Sequence, residues 1–116
     1  MPIKDFEADD LMAGTMKENS RLRQENESLR KVCRQLTEKA EGRDGPNPEM
    51  VKALSAKAER SVETGSKMVE RQRLIIKELE RDGLDTNQAR WVLHELLNTQ
   101  SLHLLTRDRL LDLLTE

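Results

Sequence analysis

The sequence predicts an all-α chain: an N-terminal parallel coiled-coil helix followed by a long antiparallel helical hairpin. Three observations carry that expectation. Leu22, Leu29 and Leu36 recur every seven residues, the spacing of one seam of a two-stranded coil. Charged residues make up 36% of the 116-residue chain and hydrophobic ones 35%, with one Trp, one Phe and no Tyr. That balance suits long helices that complete their burial by association better than a globule with a large core of its own. Finally, Arg81-Asp82-Gly83-Leu84-Asp85-Thr86 joins two helical apolar stripes through two or three residues, which leaves room only for an antiparallel hairpin.

Taking the leucine seam as d places Asn19, Asn26 and Cys33 at a, Glu18 and Glu25 at g, and Arg23 and Arg30 at e. In a parallel homodimer each g acid meets the e base of the next heptad on its copy, Glu18 with Arg23 and Glu25 with Arg30. An antiparallel pair would set like charges together. Asn at a weakens a two-stranded coil but penalises other oligomers and slipped registers, because one amide can pair with its copy across the dimer axis. The dimerisation set is therefore Asn19, Leu22, Asn26, Leu29, Cys33 and Leu36, flanked by Glu18, Arg23, Glu25 and Arg30. Cys33 would face its copy, and in a reducing setting it acts as a small apolar residue rather than a disulfide.

Around this helix the chain divides as follows. Residues 1–14 hold Asp5, Glu7, Asp9 and Asp10 against Lys4 and are read as an acidic mobile arm, with Phe6, Leu11 and Met12 as its sharper reading, a docking motif. Thr15 with Glu18 three residues on is a capping box, which starts the coil helix over 15–41. Residues 42–47 contain Gly42, Gly45 and Pro46 and form the linker. Asn47-Pro48-Glu49 then supplies an N-cap, a proline at the first helical position and a first-turn acid, opening a helical hairpin over 48–116. Its helices are expected at 48–82 and 86–115, with a turn at 83–85.

The hairpin's first helix carries the stripe Val51, Leu54, Ala58, Val62, Gly65, Val69, Ile76 and Leu79, with Gln72 as a polar slot. Gly65 costs about 1 kcal/mol against Ala inside a helix and so is expected beneath a bulky neighbour. The second helix carries Ala89, Leu93, Leu96, Leu97, Gln100, Leu104, Leu111 and Leu114. Trp91, Leu102, Leu105 and Leu113 fall on its other side, a second apolar stripe that a two-helix hairpin leaves uncovered. Those four are the candidate partner-binding residues, fitting a helical protein partner or another copy.

The segments Glu70-Arg71-Gln72-Arg73, Glu78 through Thr86, Ala89-Arg90, Thr99 through His103 and Arg107 through Leu111 resemble a group of short uncharacterised helical proteins of alphaproteobacteria. The likeness covers about residues 68–114, leaves the zipper outside it, and departs from the group's pattern at Leu84, where many members have His. The resemblance implies a hairpin, a bacterial source and a cytoplasmic home, and no activity.

Chemistry finds little purchase. His94 and His103 lie nine residues apart on opposite sides of one helix and share no metal, and no Gly-rich phosphate loop, Cys-x-x-Cys or His-Glu-x-x-His pattern occurs. No catalytic residue, cofactor or metal is expected, and the chain is read as a non-enzyme. Net charge is −2 from 20 basic and 22 acidic residues, so nothing draws the whole chain to nucleic acid or membrane. No apolar run spans a bilayer, and the first residues lack a signal peptide's pattern. Lys17 to Arg43 has eight basic and five acidic residues without interleaved aromatics. The expected function is a cytoplasmic homodimeric adaptor or scaffold. The alternative is a small DNA-associated transcriptional regulator that dimerises through the zipper.

Overall fold

The computed structural model describes the backbone of residues 5–40 and 47–115 and the side chains of 9–38 and 47–114. Three helices run through it: α1 (Asp5–Ala40), α2 (Pro48–Arg81) and α3 (Asn87–Thr115). No strand occurs among the described residues. Met12 of α1 shares a core cluster with Val69, Ile75, Ile76 and Leu79 of α2 and with Ala89, Val92 and Leu96 of α3. Leu29, Cys33 and Leu36 of α1 share a second with Val51 and Ala58 of α2 and Leu110 of α3. The clusters mark the two ends of an up-down-up bundle, with α1 parallel to α3 and α2 antiparallel to both.

At 60 × 19 × 16 Å the bundle is a rod, with a radius of gyration of 17.9 Å. A compact chain of this length would measure about 13 Å.

The break between α2 and α3 is built as its sequence dictates. Gly83 takes φ +72°, the left-handed conformation that costs a side-chain-bearing residue most. Its N–H donates to the Glu80 carbonyl (3.1 Å) and that of Leu84 to the Leu79 carbonyl (2.9 Å), the paired bonds of a Schellman motif. Leu84 then packs onto the cluster that holds Leu79. The Asp85 carboxylate accepts the Asn87 N–H at 2.9 Å and covers one open donor of α3. At the start of α2 the Asn47 side chain does the same for Glu49 N–H at 3.0 Å, ahead of Pro48.

Two expectations for the N-terminal region need correction. The stretch read as a mobile arm is helical from Asp5 onward, so Thr15 lies inside α1 and its hydroxyl donates to the Leu11 carbonyl at 2.9 Å instead of capping. Nothing in 5–14 except Gly14 opposes helix, acids suit a helix N-terminus, and burial of Met12 against Val69 and Ile75 supports the extension. Of the docking trio, Met12 is core and Leu11 is exposed, while the side chain of Phe6 lies outside the described residues. The Gly-Pro linker, apart from Asn47, also lies outside them.

The core line of α3 is rotated from the expected one. Buried residues run Ala89, Val92, Leu96, Thr99, His103, Thr106 and Leu110, in alternating steps of three and four. Leu97 and Leu111, expected inside, are exposed, and Leu93, Leu104 and Leu114 are half-buried. The reason is that α3 packs on α1 as well as on α2, so its buried line must face the junction of both.

Candidate interaction surfaces

Between the two apolar clusters the bundle has a polar waist. Asn19, Asn26, Ser61, Thr99, His103 and Thr106 are all buried there, and Gly65 lies among them. Thr106 donates its hydroxyl to Asn26 Oδ1 at 2.8 Å, and the Ser61 hydroxyl donates to Glu25 at 2.7 Å. Arg23 reaches α3 twice, donating from Nε to Thr99 Oγ1 and from a terminal nitrogen to Glu95, both at 2.8 Å. Each of these bonds ties α1 to the hairpin.

The predicted dimerisation set is thus placed within one chain. Leu22, Leu29, Leu36, Asn19, Asn26 and Cys33, the whole a/d seam, are buried against α2 and α3. Arg23 meets Glu95 of its own chain, Glu25 meets Ser61, and Glu18 pairs with Arg21 on the same helix. Arg30 is exposed. The Arg21 hydrogen bond holds the Glu18 carboxyl below its ordinary pKa. Burial raises the Cys33 thiol above its usual range, with Arg109 pulling weakly the other way. These are the residues a heptad analysis selects, and within one chain they are buried in the bundle.

Several buried atoms in this region lack a hydrogen-bond partner. Asn19 Oδ1, at a residue 2% exposed, has none, and neither has His103 Nε2, at a residue 1% exposed. The other imidazole nitrogen of His103, Nδ1, is 3.0 Å from the Thr99 carbonyl and donates its N–H there. An orphaned buried polar atom costs about 1–3 kcal/mol, so both weigh against the closed bundle, the one at Asn19 on α1 itself.

Gly65 sits beneath Gln100. An added Cβ would lie 2.0 Å from Gln100 Oε1. The Gln100 amide donates to the Val62 carbonyl at 2.8 Å and to the Ser66 hydroxyl at 3.1 Å, staking α3 onto α2 over the glycine. Gln72 serves as a second polar staple, its amide donating to the Ala89 carbonyl at 2.9 Å while Oε1 stays unpartnered.

The four candidate partner-binding residues separate. Trp91 is 54% exposed and Leu105 61% exposed, and they fall two heptads apart on the outward side of α3. Leu102 is half-buried, one turn before Leu105. Leu113 is also half-buried and packs on the second core cluster, so it belongs to the fold. An open groove of about 410 Å³ between α2 and α3 is lined by Val69, Leu97, Gln100, Lys67, Glu70 and Arg73, among others. Its mixture of both charges selects no ligand class. His94 is exposed, with the Asn98 amide 3.4 Å from its ring. Among the described residues no three His, Cys, Asp or Glu side chains converge as a metal site, and no helix is long and apolar enough to cross a membrane.

Sequence reasoning missed Thr99 and Thr106 as the hairpin's contacts for α1, with His103 buried between them. Their signal was spacing, since they continue the three-four rhythm of Ala89, Val92 and Leu96, but their polarity hid it. The chain therefore defines a class by architecture alone: an elongated three-helix up-down-up bundle with apolar ends and a hydrogen-bonded waist. Comparison with protein-family models, with curated proteins and with solved structures finds no match to it.

Proposed function

We propose that the chain is a non-enzymatic adaptor that acts by protein–protein contact, presenting the outer side of α3 to an amphipathic helix of a partner protein. The observation that carries this reading is the pair Trp91 and Leu105. Both are large, apolar and more than half exposed, 14 residues apart on one rigid helix. At about 1.5 Å per residue they stand roughly 21 Å apart, a span that a partner helix matches with anchors at two-heptad spacing. Trp is the residue type most enriched among binding hot spots, and Leu102, one turn from Leu105, adds half-buried apolar surface. Asn98, midway on the same line, sets a polar step that a partner would need to answer.

The test is a photocrosslinking residue at position 91 in the full-length chain in its native cell, with and without Leu105→Glu. The expected product is a protein crosslink mapped to an amphipathic helix and lost in the Leu105→Glu chain, whose melting temperature stays unchanged because Leu105 is exposed. A crosslink indifferent to Leu105→Glu, or one to DNA, would refute the reading; the latter would favour the DNA-associated alternative.

A further inference from the structure

We infer that α1 is an exchangeable element: its seam closes the bundle in a single chain and, when released, pairs with α1 of a second copy as a parallel coil, so that folding onto the hairpin and self-association compete. The seam is the same in both states. Leu22, Leu29 and Leu36 are buried against the hairpin, yet they also recur at the seven-residue interval of a self-pairing strand. The flanking charges fit both uses. Arg23 pairs with Glu95 in the closed chain and would meet Glu18 of a copy in the coil.

The hydrogen bonding argues that the closed seat is imperfect. Asn19 Oδ1 is buried without a donor there, whereas at an a position of a parallel coil the Asn19 amide meets its copy across the axis. The surface that α1 would leave behind includes the hydroxyls of Thr99, Thr106 and Ser61, all of which water can satisfy. By contrast α2 and α3 pack on each other far more extensively than α1 packs on either. The hairpin therefore has the contacts to persist without α1.

Sedimentation of the full chain across a concentration series, with mild oxidation of Cys33, tests this. The expected result is a monomer–dimer equilibrium in which dimers carry a Cys33–Cys33 crosslink, because a positions of a parallel coil face each other. Glu95→Lys, which sets a lysine against Arg23 in the closed chain and leaves the coil untouched, should strengthen dimerisation roughly tenfold. Glu18→Lys, which opposes Arg23 of a copy and disturbs only a surface pair in the closed chain, should weaken it. If circular dichroism shows that Glu95→Lys has lost helix, Thr106→Val is used instead, since it strips the waist of the hydroxyl bonded to Asn26 and should likewise favour the dimer. A chain that stays monomeric throughout overturns the inference. So does a dimer without the Cys33 crosslink, which would place α1 on the partner's hairpin, and so do charge variants that shift association in the same direction.

Discussion

At the scale of single residues, the bundle depends on polar side chains placed where apolar ones would be expected. Gln72 is the clearest case, being fully buried with one bond made and one acceptor orphaned. The bond is worth about 1 kcal/mol and the orphan costs about 1–3 kcal/mol. Gln72→Leu should therefore leave stability unchanged or raise it by roughly 1 kcal/mol, measured by urea unfolding. A loss of more than about 2 kcal/mol would show that Gln72 holds the α2–α3 register in a way its single bond does not express. The sequence marks Gln72 as a polar slot but is silent on its partner, since the Ala89 carbonyl reaches it only after the chain has turned back. Gly65 is a similar case. Its helical cost implies a close neighbour, while the identity of that neighbour, Gln100, depends on the packing angle of two helices.

At the scale of the element, α2 starts and ends, and α3 starts, where local chemistry says they should, and two glycines give opposite expectations. Gly83 adopts a positive φ with open space around it, so Gly83→Ala meets no clash but pays the left-handed penalty of about 1 kcal/mol. Gly14 lies within α1 with nothing near its missing Cβ, and Gly14→Ala should stabilise by about 0.5–1 kcal/mol. Thermal melts of the two variants should move in opposite directions. A Gly14→Ala chain that melts lower would contradict the continuous helix from Asp5. The Gly83 turn and the Asn47 cap were legible because capping uses neighbours in sequence. The start of α1 was not, because a weak local signal, Thr15 with Glu18, competed with a tertiary one, the burial of Met12 some 60 residues from its partners.

At the scale of the whole molecule, α1 is the third helix of a rod whose other two helices form the tighter pair. Replacing both Leu22 and Leu29 by Lys puts two ammonium groups where burial is nearly complete, at a cost that releases the helix. The expected outcome is a chain in which amides of α1 lose protection in hydrogen exchange while those of α2 and α3 keep it. Collective loss of protection in all three helices would mean that the hairpin has no stability of its own.

What the sequence determined by itself was the inventory of helices, the turn at Gly83, the cap at Asn47, and which face of α1 is apolar. Each follows from interactions within a few residues or from a periodicity that needs no partner. What only the tertiary structure decided was the object that each face covers. A heptad seam states that something helical lies against it, and a hairpin and a second copy satisfy that statement equally well by spacing. The hydrogen bond from Thr106 to Asn26 and the ion pair of Arg23 with Glu95 join residues more than 70 positions apart. No local pattern encodes them, because the contact exists only once three helices share one axis.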